Sequence, residues 1–287
     1  CVEIDDQALL SRALMGSLSI HALRGEWPQA SAVAQQLLEL GQSTENPAAL
    51  LAAFSGLAEI CAWQGQFCAA LEHAGAAIEL IKSMAPSMAL SVGPSSATHA
   101  GLSPFAQVSA YSYAAFAAWM LGYPEQAKRH SEDSIKLAMQ LKHPTTQLFA
   151  LHYAAQVKLF LRLPDEVLVL SEAQIELGRE QQSRQWLAGG HYFRGIARAN
   201  AISGDEGIAE MREGLIALRN TTSTGLSMLS AIFADCLAQH GCMDEALATL
   251  AQARDFGERI GERLYEAEIH RLLGDLKLTQ LGEHSHA

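Results

Sequence analysis

Small residues recur along this chain with a period of about forty residues. In most copies a glycine is followed five residues later by an alanine. The glycines are Gly25, Gly65, Gly122, Gly204 and Gly241, and the alanines are Ala30, Ala70, Ala127, Ala209 and Ala246. A sixth copy is degenerate, with Arg162 and Val167 at the two positions. A repeat of this length is typical of a solenoid built from pairs of α-helices.

The spacing has a simple physical meaning. A small residue near the end of one helix and another early in the next let the two backbones approach closely, and the glycine takes the turn at little conformational cost. A further small residue lies seven positions before each glycine position, except at Leu18; these residues are Ala58, Ala115, Ala155, Ala197 and Ala234. The glycine positions are 40, 57, 40, 42 and 37 residues apart. The longest spacing predicts an insertion between the second and third hairpins.

Six of the eight prolines fall where a helix is expected to begin, a position at which proline costs no hydrogen bond. They are Pro28, Pro47, Pro104, Pro124, Pro144 and Pro164. We predict thirteen helices and no strands. The predicted bounds are 5–23, 27–41, 47–64, 67–83, 104–121, 124–141, 144–161, 164–181, 184–203, 205–219, 224–240, 243–259 and 262–281. The predicted fold class is all-α, a right-handed α-α superhelix of about six helical hairpins and a capping helix.

We expect one continuous solenoid domain. Residues 1–84 hold repeats 1 and 2, residues 85–103 form an irregular insertion, and residues 104–287 hold repeats 3 to 6 and the C-terminal capping helix. The insertion is rich in Ser, Gly and Pro and carries almost no charge. Loops of this length in compact folds are functional or disordered. Its apolar residues favour a segment folded back over the binding groove, with a mobile loop as the alternative.

Composition excludes several classes of function. The formal net charge of −11 argues against a nucleic-acid surface, which needs clustered Lys and Arg. No stretch approaches the roughly 20 apolar residues of a membrane span. Five cysteines without framework spacing predict free thiols in a reducing cytoplasm, with Cys61, Cys68 and Cys236 buried. The chain opens at Cys1, which predicts a fragment or a processed product.

The sequence predicts no metal site and no cofactor. Cys236, His240 and Cys242 resemble a metal trio, since Cys and His are ligands that zinc prefers. No fourth ligand is near in sequence, so a buried thiol and a histidine at a helix end are the favoured interpretation. No nucleophile and base occur in a recognisable catalytic motif, and no phosphate-binding loop of the GxxxxGK[ST] type is present.

Two segments carry a family resemblance: AAFAAWMLGYPEQAKRHSEDSIKLAMQLKHP at 114–144 and GERLYEAEIHRLLGDLKL at 261–278. They resemble the C-terminal tetratricopeptide-like region of bacterial regulators with an AAA/STAND-type ATPase, often with a class III nucleotide cyclase or a helix-turn-helix domain. The resemblance covers roughly residues 12–280. It implies a regulatory interaction domain whose partner is a protein or peptide, with an ATPase or cyclase domain of the same polypeptide as one candidate, or a small effector.

The first helices of successive hairpins are expected to line a concave groove. Aromatic rings beside a few polar groups suit a peptide or ligand surface. Alignment on the glycine positions assigns to this groove Glu59, Trp63, Ser112, Phe116, Trp119, His152, Gln156, Arg194, Arg198 and Asp235. The alternative for Phe116 and Trp119 is packing between neighbouring hairpins.

A basic cluster lies on one face of the ninth predicted helix. His191, Arg194 and Arg198 share that face because spacings of three and four return to the same side. One interpretation is an anion clamp, since Arg binds carboxylates with two parallel hydrogen bonds. The competing and favoured interpretation pairs the arginines with Asp235, or with Glu172 or Glu176 of the preceding hairpin.

The leading hypothesis is a non-enzymatic helical-repeat domain that relays a signal in a bacterial regulator. The first alternative is a free-standing adaptor or peptide receptor that uses the same groove. The second alternative is an enzyme with a dispersed site near the 85–103 segment.

Overall fold

The computed structural model describes residues 7–89, 102–199 and 204–284, and within them the chain forms thirteen α-helices and no strand. The predicted all-α helical-repeat fold class is therefore confirmed. The helices are α1 Gln7–Arg24, α2 Trp27–Ser43, α3 Pro47–Trp63, α4 Phe67–Ala89, α5 Pro104–Met120, α6 Pro124–Leu141, α7 Pro144–Phe160, α8 Pro164–Glu180, α9 Arg184–Ala199, α10 Gly204–Arg219, α11 Leu226–Gln239, α12 Met243–Ile260 and α13 Glu266–His284.

The chain divides into two compact units. The first comprises Cys1–Ala62 and Gln66–Val157, and the second comprises Trp63–Gly65 and Lys158–Ala287. In the first unit α1 packs on α2, and α5 packs on both α4 and α6. In the second unit α9 packs on α8 and α10, and α12 packs on α11 and α13.

The proline and glycine positions explain the helix boundaries. Five helices begin at a proline, and Pro28 is the second residue of α2. Glycine occupies the left-handed turn conformation at four of the five predicted positions, Gly25, Gly65, Gly122 and Gly241. Ala30, Ala70, Ala127 and Ala246 are fully buried, which fits close contact between paired helices.

The degenerate copy keeps the turn without the glycine. Arg162 adopts the left-handed conformation, with φ of 59°. Tyr123 and Leu163, which precede the prolines of α6 and α8, have nearly the same backbone angles: φ −108° and ψ 68°, and φ −111° and ψ 71°. The two hairpin turns are therefore equivalent, although only one contains glycine.

The predicted repeat alignment is wrong at the fifth hairpin. Gly204 is the first residue of α10, and Ala209 is exposed. The close approach is made two residues earlier along each helix, at Gly195 of α9 and Gly207 of α10. A methyl group added at Gly195 would lie 2.8 Å from the Gly207 carbonyl oxygen, and one at Gly207 would lie 2.7 Å from the Gly195 carbonyl oxygen. This chain therefore uses two facing glycines where other hairpins use alanine.

Two predicted boundaries, the end of α4 and the start of α13, also need correction. Helix α4 continues through Pro86 to Ala89, because the Ala and Met residues of this stretch are strong helix formers. Helix α13 starts only at Glu266, after Gly261 has taken a left-handed turn, and the predicted end of α9 at residue 203 lies outside the described residues. Within the predicted insertion Leu102 is buried, while residues 90–101, and with them the predicted cover over the groove, lie outside the described residues.

Candidate functional site

Helices α3, α5 and α7 of the first unit carry most of the residues predicted to line the groove. Glu59 and Trp119 are partly exposed, whereas Ser112, Phe116, His152 and Gln156 are buried. Of these six residues, Glu59 and Trp119 are the ones that present accessible surface.

A chain of hydrogen bonds crosses these three helices. The Tyr113 hydroxyl of α5 hydrogen-bonds to the Glu59 carboxyl of α3, and its oxygen lies 2.9 Å from the Tyr153 hydroxyl of α7. When Glu59 is ionised its carboxylate can only accept, so Tyr113 donates to Glu59 and Tyr153 donates to Tyr113. Gln156 lies one turn beyond Tyr153 on the same face of α7. We call Glu59, Tyr113, Tyr153 and Gln156 the inner row.

Burial raises the pKa of Glu59 to about 7, and the hydrogen bond from Tyr113 lowers it by less. Within the part of the chain that the structure describes, no cation pairs with this carboxylate. A carboxylate can accept about four hydrogen bonds. Glu59 therefore has unused acceptor capacity at a partly exposed position.

Gln156 presents a second unmet acceptor. Its side chain is 2% exposed, and its Oε1 atom has no hydrogen-bond partner. Buried polar atoms almost always have a partner, so an orphaned amide oxygen needs an explanation. His152, one turn before it, is also buried, and burial lowers its pKa to about 3. His152 is therefore neutral at physiological pH.

Two residues assigned to the groove have packing roles. The Ser112 hydroxyl lies 2.8 Å from the Ser134 hydroxyl of α6, so it faces the partner helix of its own hairpin. The Phe116 ring is fully buried and stacks edge-on against Tyr153 at 5.3 Å. Phe116 therefore packs between hairpins, as the alternative interpretation predicts, whereas Trp119 is partly exposed.

In the second unit, Trp63 and Asp235 lie in different surroundings. Trp63 is 2% exposed, and its carbonyl oxygen accepts hydrogen bonds from the backbone of Arg263 and Leu264. Asp235 is partly exposed and accepts a hydrogen bond from Gln239 at 2.9 Å. Burial raises the pKa of Asp235 and outweighs the opposing effects of Gln239 and Arg271.

The basic cluster of α9 is already paired. Glu210 of α10 lies 2.8 Å from His191 Nδ1 and from Arg194 Nε, and 3.2 Å from Arg198 Nη1. Burial acts to raise the pKa of Glu210, but the hydrogen bonds from Arg194 and His191 prevail, so the pKa is lowered. The free anion clamp is wrong, because it requires arginines without a carboxylate in reach. The structural alternative holds, with Glu210 in place of the acids that we proposed.

This pairing predicts unequal effects of two matched substitutions. Arg194→Gln is expected to lower the free energy of unfolding by about 1–3 kcal/mol, because it removes two charge-assisted hydrogen bonds from the mostly buried Glu210. Arg198→Gln is expected to cost less than about 1 kcal/mol, because Arg198 is exposed and makes one long contact. Urea unfolding at pH 7 measures both values. Equal losses would contradict the pairing described here.

The cysteine and histidine trio makes no ligand set. Both ring nitrogens of His240 face carbonyl oxygens, those of Cys236 at 2.8 Å and Ala199 at 3.2 Å. Burial raises the pKa of the Cys236 thiol to about 11, while Cys242 is exposed. Cys68 is exposed as well, contrary to expectation. Among the described residues, no three His, Cys, Asp or Glu side chains converge as metal ligands.

Sequence reasoning missed Tyr113, Tyr153 and Glu210. Tyr113 and Tyr153 occupy the same place in consecutive hairpins, nine residues before Gly122 and Arg162. This equivalent placement of two tyrosines is visible in the sequence and could have indicated a contact between them. The acids predicted to pair with Arg194 and Arg198 lie on neighbouring hairpins, whereas Glu210 lies on α10, the second helix of the same hairpin.

Comparisons with known proteins support the fold. No protein-family model matches this chain, and a search of curated proteins also found no match. Among solved structures, the apo form of RapI is similar over 93% of this chain and 97% of its own, with a TM-score of 0.55 and 10% identity. BtubC (BKLC) from P. vanneervenii is similar over 86% of this chain and 92% of its own, with a TM-score of 0.49 and 15% identity. At such identity, the likeness to RapI shows a shared fold.

No helix in the described parts of the chain is both long enough and apolar enough to cross a membrane.

Proposed function

We propose that this chain is a non-enzymatic interaction domain of a bacterial signalling or transcriptional regulator. In this proposal its inner row binds a peptide segment, either free or within a protein partner. The observation that carries the proposal is the partly exposed Glu59 carboxylate connected through two tyrosines to the face of α7 that holds the orphaned Gln156 oxygen. Polar groups of a bound partner would contact the Glu59 carboxylate directly, and would reach the Gln156 oxygen once that side chain turns outwards.

The protonation states favour binding over catalysis. A general base works best when its pKa lies near the operating pH and when it faces a nucleophile. The pKa of His152, about 3, is too low for that role. Glu59 has a suitable pKa, but its hydrogen-bond partner is a tyrosine whose oxygen is engaged by Tyr153. This arrangement of side chains therefore suits binding of a ligand better than proton transfer.

The regulator context rests on the two segments that resemble the tetratricopeptide-like region of ATPase regulators. Reading the gene upstream of the codon for Cys1 tests it. An ATPase or cyclase domain encoded there in frame would support the regulator. A start codon close upstream would instead favour the free-standing adaptor or peptide receptor.

Binding is tested by selecting from a library of random heptapeptides on the full chain and measuring the dissociation constants of the selected peptides. Gln156→Leu should weaken the selected peptides at least tenfold, because it removes the buried acceptor at similar side-chain volume. Gln140→Leu is the matched control, since Gln140 is exposed on α6. Failure to select any peptide that binds saturably, or equal affinity in Gln156→Leu, would contradict the proposal.

A further inference from the structure

The atom of the inner row that is fully buried without a hydrogen-bond partner is an acceptor, Gln156 Oε1. With Glu59 ionised, the Tyr153 hydroxyl donates to Tyr113 and the Tyr113 hydroxyl donates to Glu59, so both hydrogens are used within the row. The partly exposed Glu59 carboxylate is left to accept from outside, and the buried Gln156 Oε1 atom also lacks a donor. An occupant that satisfies them must be rich in donors.

The charge of Glu59 further restricts the chemical class of group that can bind there. The other acids whose side chains are largely enclosed have strong partners: Glu210 is paired with Arg194, and Glu262 accepts hydrogen bonds from Ser227 and the Gly225 amide. Glu59 has one neutral donor, Tyr113. A cation is the partner that such a carboxylate lacks, and Lys and Arg side chains carry donors only.

We infer that the peptide bound at the inner row presents a cationic side chain, a guanidinium or an ammonium, to Glu59. This inference rests on the proposed function and specifies the chemistry of its ligand. A guanidinium has five donors in a rigid fork, so one arginine can bond Glu59 and still offer N–H groups to a second acceptor. A divalent metal ion would need more ligands than one carboxylate and one amide oxygen.

The inference makes binding depend on pH near neutrality. Because burial raises the pKa of Glu59 to about 7, the carboxyl is mostly protonated at pH 6 and mostly ionised at pH 8. A cation binds the ionised form, and the apparent affinity scales with the fraction of protein in the competent form. The affinity for a cationic peptide should therefore rise about tenfold from pH 6 to pH 8, while a neutral peptide gains little.

The test uses four pools of acetylated and amidated pentapeptides, random except for a central arginine, lysine, citrulline or glutamine. Binding to the full chain is measured at pH 6 and pH 8 for the natural sequence, Glu59→Gln and the control Glu72→Gln, which alters an exposed acid on α4. The arginine and lysine pools should bind at least tenfold more tightly than the citrulline and glutamine pools at pH 8. Glu59→Gln should abolish this difference, and Glu72→Gln should leave it intact.

The outcomes separate this inference from the proposed function. If citrulline and arginine pools bind equally, and binding still requires Gln156, the cationic ligand is refuted while the peptide site stands. The cationic ligand is also refuted, and the peptide site retained, if the Glu59→Gln variant still binds the arginine and lysine pools more tightly than the neutral pools. If no pool binds the folded chain at either pH, both are refuted. Thermal melting of each variant confirms that it is folded.

Discussion

Replacing Gly207 with alanine should destabilise the protein by about 1–3 kcal/mol, at the upper end of the range for an overpacked interior. Its added methyl group would meet the backbone nitrogen of Ala199, and would lie 2.6 Å from the Ala199 Cα and 2.7 Å from the Gly195 carbonyl oxygen. These are backbone atoms of the adjacent helix, so no side chain can rotate away. Helices α9 and α10 would have to separate, which disturbs the contacts along their whole length.

Gly274→Ala is the matched control. Gly274 lies on the exposed face of α13, and a methyl group there would meet nothing within 4 Å. Alanine is the better helix former, so this change should stabilise the chain by roughly 0.5–1 kcal/mol. Urea unfolding at pH 7 gives both values. If the two substitutions shift stability in the same direction, the close contact between α9 and α10 is not as described.

Removing the carboxylate of Glu262 should have a comparably large effect. Glu262 is 4% exposed and lies in the turn before α13. Its oxygens accept hydrogen bonds from the Ser227 hydroxyl at 2.6 Å and the Gly225 amide at 3.1 Å. It therefore caps the N-terminus of α11 from another part of the chain. Glu262→Ala leaves these buried donors without a partner, and we expect a loss of about 1–3 kcal/mol.

The same carboxyl should make stability fall as the pH rises. Burial raises the pKa of Glu262 to about 7, more than its four hydrogen-bond donors lower it. The folded protein thus binds this proton more tightly than the unfolded chain does. The stabilisation that this proton gives the folded state is fully present below about pH 4.5 and is lost as the pH rises through about 7. The free energy of unfolding should fall by as much as about 3 kcal/mol over this range.

Urea unfolding between pH 5 and pH 8 tests the linkage, with Glu262→Gln as the variant that cannot titrate. Glu59 contributes a slope of the same sign, because its pKa is also raised to about 7. Glu262→Gln should therefore reduce the pH dependence without abolishing it. A slope identical to that of the natural sequence would show that Glu262 does not titrate in this range.

The sequence predicts the helical architecture well because its boundary signals are local. A proline at the start of a helix and a glycine at its end act through their own backbone angles, so Pro124 and Gly122 can be interpreted without a structure. The error at Gly204 has the opposite origin. Helices α9 and α10 contain several glycines, and only the contact between the helices decides that Gly195 and Gly207 face each other.

The candidate site was less predictable because exposure depends on neighbouring helices. Alignment placed Glu59, Phe116 and Gln156 at equivalent positions, yet Phe116 is covered by Tyr153 while Glu59 remains partly exposed. Arg194 and Arg198 were correctly placed on one face. Their partner Glu210 could have been found by folding α10 back along α9, since antiparallel helices of a hairpin bring such residues together.

Because the turns at Tyr123 and Leu163 are equivalent, the segment between them can be duplicated as a unit. Residues 124–163 start at Pro124 and end just before Pro164, and the residues that precede these two prolines, Tyr123 and Leu163, share almost the same backbone angles. A duplicated copy inserted after Leu163 would therefore meet a native junction at each end. The chain can be lengthened by one hairpin through gene duplication without inventing a new turn.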